Sequence, residues 1–157
     1  MRTLVSFRLT NDSGGTAADV SKRLELIPTW SREAGAVISA RNPEQTAQHS
    51  VWSLSSAPDS QEDMRLCEML DWLLDQLEPL TDSLWALAEE GYVANWFCLL
   101  DVQDDEHATA LTRETMRRLI ALPGDLWLDV YREGKEDVTA DGVDDRPGRP
   151  EWPDQLG

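Results

Sequence analysis

Few residues of this chain have the types and the spacing that enzyme chemistry requires. Its two histidines are His49 and His107, and it contains neither a Gly-x-Ser-x-Gly nucleophile elbow nor a glycine-rich phosphate-binding loop. Ser53, Ser55 and Ser56 follow His49 in the chain, but hydroxyl groups near one histidine are weak evidence for a nucleophile, which also needs an oriented base. We therefore predict no catalytic residue, and a non-enzymatic role is the simpler interpretation.

A short acidic segment offers the oxygen ligands that Mg²⁺ and Ca²⁺ prefer. Its members are Asp101, Asp104, Asp105, Glu106 and His107. Their spacing matches no metal-binding loop that we can name, and acidic turns are common in soluble proteins. Cys67 and Cys98 stand alone in the sequence, without the clustered cysteines and histidines of a zinc site. We predict no metal site and no cofactor.

The strongest charge pattern is a stripe of carboxylates at helical spacing in the middle of the chain. It consists of Glu68, Asp71, Asp75, Glu78 and Asp82. Steps of three and four residues place these side chains on one helix face, where neighbouring like charges cost about 0.2–0.5 kcal/mol per pair. Such a face is often only solvated, but its cost suggests a further role. Our leading hypothesis is that this acidic helical face binds a basic partner protein, as an immunity-type or inhibitor-type protein would, with association accelerated by charge.

A second candidate site combines aromatic and polar side chains that strand alternation places on one sheet face. Its members are Trp30, Ser53, Asn95, Trp127, Asp129 and Tyr131. Apolar walls with a few polar groups are typical of small-molecule sites. The alternative hypothesis is therefore a small-molecule binding or enzymatic domain that uses this open face. The same face could instead be covered by the chain's own tail, by residues 31–48 or by a second subunit.

The carboxylate stripe belongs to a long leucine-rich helix that organises the fold. Its leucines recur at steps of three and four residues: Leu66, Leu70, Leu73, Leu77, Leu80, Leu84 and Leu87. This spacing predicts a helix from Gln61 to Glu90 with one apolar face. Pro79 falls inside the pattern without shifting its phase, which predicts a kink or a tight break between two helices packed on the same core.

Period-two alternation predicts the strands around this helix. They cover Val5–Leu9, a short segment at Ala36–Ile38, Trp52–Ser55, Val93–Val102 and Leu126–Tyr131. A first helix runs from Thr16 to about Pro28, and a last one begins near Thr112. The order predicts an α+β fold: a two-layer sandwich with a ferredoxin-like βαββαβ core and an extra helix and strand.

Charge and length limit the partners and the location. The chain has 157 residues and a net charge of −16. Nucleic acids and anionic membranes select clustered Lys and Arg, so we expect neither as a partner. No apolar segment reaches the roughly 18–20 residues that span a bilayer, and the N-terminus lacks a signal-peptide pattern. With both cysteines predicted to be reduced, we expect a soluble, cytoplasmic protein.

Composition divides the chain into one α+β domain, residues 3–132, and an acidic C-terminal tail with Pro and Gly, residues 133–157. Trp152 interrupts the polar composition of the tail. We predict that residues 150–153 dock in extended form on the exposed aromatic face or on a partner. The carboxylates of the tail could also meet a basic patch on the last predicted helix, made of Arg113, Arg117 and Arg118.

Four blocks of sequence lie in order along residues 3–132. They are Leu24-x-Leu26-x-Pro28-x-Trp30, Trp52-Ser-Leu-Ser-Ser56, Leu77-Glu-Pro79 and Gly124-Asp-Leu-Trp-Leu-Asp-Val-Tyr131. Together these blocks resemble the bacterial domain-of-unknown-function 4279 family. The resemblance implies a small bacterial cytoplasmic α+β domain. It carries over no catalytic residue, because no activity is assigned to that family.

Overall fold

The described part of the chain combines strands with helices. The computed structural model describes residues 2–56, 65–102 and 109–132. In these ranges the strands are β1 (Arg2–Asn11), β2 (Trp30–Arg32), β3 (Val37–Ser39), β4 (Asn42–Thr46), β5 (Ser50–Ser55), β6 (Val93–Val102) and β7 (Asp125–Arg132). The helices are α1 (Ala17–Leu24), α2 (Leu66–Leu77), α3 (Thr81–Glu89) and α4 (Arg113–Ala121), with a 3₁₀ turn at Glu78–Leu80. The protein is therefore α+β, as predicted.

Strand β1 lies at the centre of a five-stranded mixed sheet, in the order β2-β5-β1-β6-β7. It pairs antiparallel with β5 and with β6, and β2 pairs antiparallel with β5. Strands β6 and β7 run parallel, which requires a crossover connection, and α4 lies in that connection. Strands β3 and β4 form a separate two-stranded hairpin.

This strand order does not confirm the predicted ferredoxin-like core. The first strand has antiparallel neighbours on both sides, and the sheet contains additional strands around the predicted set. Alternation in a sequence identifies strands but does not say which strands are neighbours. The structure supports the predicted α+β class, with helices packed on a mixed sheet.

The core forms between one face of the sheet and the helices. Val5, Phe7 and Leu9 alternate along β1 and are at most 1 % exposed. Trp96 of β6 pairs with Phe7, and the centroids of the two rings lie 4.8 Å apart. All the described helices contribute buried side chains to this same apolar cluster, so they cover one face and leave the other to a different environment.

The leucine-rich segment packs as predicted and breaks at Pro79. Six leucines of the pattern are buried in the core, and Leu80 packs against it: Leu66, Leu70, Leu73, Leu77, Leu84 and Leu87. Helix α2 ends at Leu77 and α3 begins at Thr81, because proline lacks the N–H that would continue the helical ladder. The intervening 3₁₀ turn preserves the phase of the apolar face, so both helices contact the same core.

Two local predictions are wrong. Helix α1 ends at Leu24, before Pro28, because Glu25 adopts a left-handed conformation with φ of 51° that ends the helix. Residues 31–48 were expected to contain one strand, at Ala36–Ile38. That strand is β3, shifted by one residue, and the segment also contains the end of β2 and all of β4. Strand β4 is exposed throughout, so it has no apolar alternation to reveal it.

Several predictions concern segments beyond the described ranges. The predicted helix start at Gln61, the acidic residues 104–107 and the tail, residues 133–157, all lie outside the described residues. The predicted docking of residues 150–153 therefore stays a prediction.

Candidate functional site

Arg118 of α4 lies in the middle of the predicted carboxylate stripe. Its guanidinium donates to Asp71 (Nη1 to Oδ1, 3.1 Å), Asp75 (Nη2 to Oδ1, 2.6 Å) and Glu78 (Nε to Oε1, 2.8 Å). The side chain of Arg118 is 15 % exposed, while those of the three carboxylates are 41 %, 73 % and 38 % exposed. Three of the five predicted partner-binding carboxylates thus hold an arginine of the same chain.

Hydrogen bonding within this network changes the acidity of its members. The bond from Arg118 lowers the pKa of Glu78 and outweighs the opposing effect of burial. The bond to Glu78 likewise raises the pKa of Arg118 against its partial desolvation. The hydroxyl of Thr115, which is buried, donates to Asp71 at 3.2 Å. The network therefore fastens α4 to α2 with charge-assisted hydrogen bonds.

The predicted basic patch on α4 does not form one surface. Arg118 faces α2, whereas Arg117 pairs with Glu114 of its own helix at 2.6 Å. Arg113 is exposed at the first position of α4. The three arginines thus have three separate environments, and their proposed contact with the tail involves residues outside the described ranges.

The other two carboxylates of the stripe remain at the surface. Glu68 accepts a hydrogen bond from the backbone N–H of Arg65 at 2.9 Å and so caps the N-terminus of α2. Asp82 is exposed in the first turn of α3, where the helix dipole favours a negative charge. Trp72, 38 % exposed, lies one helical turn from both Glu68 and Asp75. An exposed aromatic ring therefore accompanies the acidic residues.

The sheet face opposite the helices carries the second candidate site. Strand register pairs Trp30 with Ser53, Ser53 with Arg8, and Arg8 with Asn95. Because directly paired residues point to the same face of a sheet, these side chains form one transverse row across β2, β5, β1 and β6. We refer to these four residues as the polar row.

A second row on this face contains aromatic rings. Ser55 pairs with Ser6, Ser6 with Phe97, and Phe97 with Trp127. The aromatic faces of β6 and β7 therefore coincide. The six predicted residues nevertheless do not converge, because strands are about 4.8 Å apart and Trp30 and Trp127 are thus separated by about 20 Å. Trp30, Ser53 and Asn95 belong to the polar row, whereas Trp127, Asp129 and Tyr131 follow the edge strand β7.

Two arginines stack on aromatic rings of this face. The guanidinium carbon of Arg8 lies 4.7 Å from the centroid of Phe97, and that of Arg32 lies 5.3 Å from the centroid of Trp30. Both distances suit a cation–π interaction. Burial lowers the pKa of Arg8, but a guanidinium stays protonated in proteins. The face therefore carries cations in a protein whose net charge is −16.

Hydroxyl groups line the same part of the face. Ser6 and Ser53 are 1 % and 3 % exposed. In the described structure neither the Ser6 Oγ nor the Nε of Arg32 has a hydrogen-bond partner. A buried polar group without a partner costs about 1–3 kcal/mol, so this face contains polar groups whose bonding capacity the described chain does not use.

Arg8, Arg32 and Ser6 were absent from the residues predicted for this face. The alternation of Arg8 with Phe7 and Leu9 already placed a cation on the polar face of β1, and that signal could have identified it. Arg32 could not be found in this way, because the short strand β2 has no alternation of its own.

The cysteine, histidine and serine side chains do not form a site for nucleophilic or metal chemistry in the described part of the structure. Cys67 and Cys98 are free thiols, and burial raises the pKa of Cys98 to about 12, which leaves it protonated and unreactive. His49 is exposed, whereas Ser53 and Ser56 are buried. Among the described residues no group of three or more His, Cys, Asp or Glu side chains could hold a metal ion. No helix in the described ranges is long and apolar enough to cross a membrane.

Comparison with known proteins identifies a family. Residues 1–133 match the family model described as "Domain of unknown function (DUF4279)". The chain therefore belongs to the DUF4279 family. No curated protein and no solved structure matches the chain.

Proposed function

We propose that this DUF4279 domain is a non-enzymatic protein that binds a small organic ligand on the sheet face opposite its helices. The observation that carries the proposal is the polar row: Trp30, Ser53, Arg8 and Asn95 lie side by side in register. Aromatic surface for contact area, with a few polar groups to fix orientation, is the usual composition of a small-molecule site. Free thiols at Cys67 and Cys98 favour a reducing, cytoplasmic setting, and we place the protein in a bacterial cell.

The aromatic residues at the two ends of the face are expected to differ in importance. Trp30 adjoins the polar row, whereas Trp127 lies across the sheet on β7. The affinity for a ligand of ordinary size that uses the polar row should therefore depend more on Trp30 than on the residues of β7, which are Trp127, Asp129 and Tyr131.

A thermal-shift screen of metabolites tests this proposal. A ligand at a hundred times its dissociation constant adds about 2.7 kcal/mol of stability, which is easily detected. Ligands found in this way should bind at least about tenfold more weakly to Trp30→Ala than to the wild-type protein, since loss of about 1.4 kcal/mol of contact energy has that effect.

Trp72→Ala is the matched control, because Trp72 is a partly exposed tryptophan on the helical side. Its affinity for the ligands should equal that of the wild type. Silence across a broad library, or ligands indifferent to Trp30→Ala but sensitive to Trp72→Ala, would contradict the proposal.

A second candidate function is binding of a basic partner protein by the acidic helical face. The observation that favours it is the exposed ring of Trp72 beside Glu68 and Asp75, since interfaces combine an aromatic anchor with a charged rim. Arg118 neutralises only part of this surface, because three carboxylates share one guanidinium. An immunity-type or inhibitor-type protein is the form we have in mind.

Charge-removing variants outside the Arg118 network test this second function. Glu68→Gln and Asp82→Asn together should slow association with a basic partner without unfolding the protein, because neither carboxylate contacts Arg118. Glu44→Gln on the exposed strand β4 is the control. Association rates are measured at low salt. Equal rates for the wild type, the double variant and Glu44→Gln would exclude the acidic face as the binding site.

A further inference from the structure

We propose that two copies of this chain associate through strand β7, whose outer edge pairs antiparallel with β7 of the second copy. The inference concerns an interface between copies and not the ligand of the polar row, so it goes beyond the proposed function. It follows from the exposure of β7, from the form of its edge and from the order of its side chains.

The apolar side of the sheet is left uncovered at β7. Strand register pairs Leu128 with Cys98 and Val130 with Leu100, and directly paired residues point to the same side of a sheet. Cys98 and Leu100 are at most 3 % exposed, whereas Leu128 and Val130 are 51 % and 60 % exposed. The helices therefore cover β6 but leave the neighbouring strand β7 open to solvent.

Helix α4 extends this apolar surface. Arg118 contacts α2, and Met116 and Ile120 are each two positions away from it, which places both on the opposite side of α4. Because α2 packs on β1 and the sheet continues from β1 through β6 to β7, that side of α4 faces the β7 edge. Met116 and Ile120 are both exposed. Exposed apolar side chains of a helix and a strand thus meet at one edge of the molecule, as is typical of an interaction surface.

The edge of β7 lacks the features that usually keep edge strands from pairing. Short length, lysine, proline and bulges are the common forms of protection. Strand β7 has eight residues in continuous register with β6, without a lysine or a proline. The opposite edge of the described sheet is protected, because β2 has only three residues. Among the described strands none pairs with the outer edge of β7, which is therefore suited to accept one more strand.

The sequence of β7 suits antiparallel pairing with itself. A two-fold axis at Leu128 places the two Leu128 side chains opposite each other, Leu126 opposite the partner's Val130, and Trp127 opposite the partner's Asp129. Apolar residues then meet on the helical side of both copies, and like charges are not directly opposed. An axis at Asp129 would instead place two carboxylates opposite each other, which is unfavourable. The register about Leu128 is therefore the one that we expect.

A second copy covers this surface better than the chain's own tail would. Each copy contributes an eight-residue strand and the adjoining side of a nine-residue helix, which suits the lower end of the range for stable interfaces, about 1,200 Å² in total. Residues 133–157 are rich in Asp and Glu, and their large apolar residues are only Val138, Val143, Trp152 and Leu156. Such a composition offers little to cover Leu128 and Val130.

Sedimentation of the full chain over a range of protein concentrations tests the inference. At about 0.15 M salt, which screens the repulsion between two acidic copies, the mass should rise to that of two chains. Leu128→Lys brings two ammonium groups together at the axis and should raise the dissociation constant at least about a hundredfold. Its circular dichroism should match that of the wild type, because Leu128 is half exposed. Val37→Lys, at an exposed position of the separate hairpin, is the control and should leave the dimer intact.

Cross-linking tests the register itself. Directly opposed Cα atoms in an antiparallel pair lie about 4.5–5.5 Å apart, which suits a disulfide. A mild oxidant should therefore link two copies of Leu128→Cys. It should not link Val37→Cys, which carries the same native cysteines, Cys67 and Cys98. Hydrogen exchange should also show protection of alternate β7 amides in the wild type, and loss of that protection in Leu128→Lys.

Each contrary outcome overturns the inference without touching the polar row. A full chain that stays monomeric at all concentrations contradicts it, and protected β7 amides in such a monomer would assign the edge to the chain's own residues 133–157. A dimer that persists in Leu128→Lys, and that oxidation of Leu128→Cys does not link, would lie on another surface. If Leu128→Lys fails to fold, the cross-linking of Leu128→Cys decides.

Discussion

At the scale of single residues, Arg118 explains how a surface with so many carboxylates can be stable. One guanidinium contacts Asp71, Asp75 and Glu78, and so offsets the like-charge repulsion that helical spacing imposes on them. The sequence showed the carboxylates and the arginine but could not pair them. They are forty or more positions apart, and only the packing of α4 against α2 brings them together.

Replacement of Arg118 by Met should destabilise the protein. It leaves three neighbouring carboxylates without their cation, and we expect a loss of about 1–3 kcal/mol, discounted for the exposure of the carboxylates. Urea unfolding monitored by circular dichroism measures the effect. Arg117→Met is the control, since Arg117 is exposed and pairs within its own helix. Its unfolding midpoint should stay near that of the wild type, and an equal loss in both variants would refute a special role for Arg118.

The contribution of this network should depend on pH. Because Arg118 lowers the pKa of Glu78 in the folded state, the resulting stability is fully present above the ordinary glutamate value of about 4.3. It is lost as the pH falls further, through the lower pKa of the folded protein. The difference in stability between the wild type and Arg118→Met should therefore narrow in acid. A difference that stays constant from neutral pH to about pH 3 would show that packing, not charge, is responsible.

At the scale of elements, the glycine between α4 and β7 allows the start of β7 to lie close to its parallel neighbour β6. Gly124 has φ of +115°, and a Cβ at this position would lie 3.0 Å from the backbone carbon and oxygen of Ala94. Ala94 belongs to β6, next to the residue that pairs with Asp125. A larger residue would therefore push β7 away from β6 at its first pair.

Gly124→Ala should accordingly destabilise more than Gly35→Ala. Both glycines have a positive φ, with a strain of about 1–3 kcal/mol for alanine, but a Cβ on Gly35 would meet nothing within 4 Å. The difference between the two variants isolates the steric contact with Ala94, and we expect it to exceed about 1 kcal/mol. Chemical denaturation measures both. Equal losses would mean that β7 moves aside without cost.

The elements differ in how far the sequence could predict them. Strongly periodic segments, such as the leucine helix and the apolar strand β6, were found because their burial leaves a repeating signal. The break at Pro79 was also predictable, because proline acts locally. The short strand β2 and the exposed strand β4 leave no such signal. Neither does the order of strands in the sheet, which depends on contacts between distant residues. The face of the candidate site was therefore predictable, and so was the cation Arg8 on β1, but Arg32 on the short strand β2 was not.

At the scale of the whole molecule, the net charge of −16 gives the two proposed functions opposite salt dependences. Salt screens charges beyond about 10 Å at 0.1 M ionic strength. A basic protein is attracted from afar, so its association should slow as salt is added. A small ligand that carries a negative charge is repelled from afar and held only at close range, so its association should accelerate. Stopped-flow fluorescence measures both rates, and a neutral small ligand is the control. An anionic ligand whose association slows with salt would contradict this prediction.

The central position of β1 also has a consequence for how the protein folds. Strand β1 is synthesised before the other strands of the sheet, but its residues Thr10 and Arg2 pair with Val93 and Asp101 of β6. During synthesis one edge of β1 therefore stays unpaired until β6 has left the ribosome. Pairings so distant along the chain slow folding, because a long loop must close before they stabilise anything. The polar residues Ser6 and Arg8 on one side of β1 then have a second consequence, since they keep the waiting strand from presenting two apolar faces to other nascent chains.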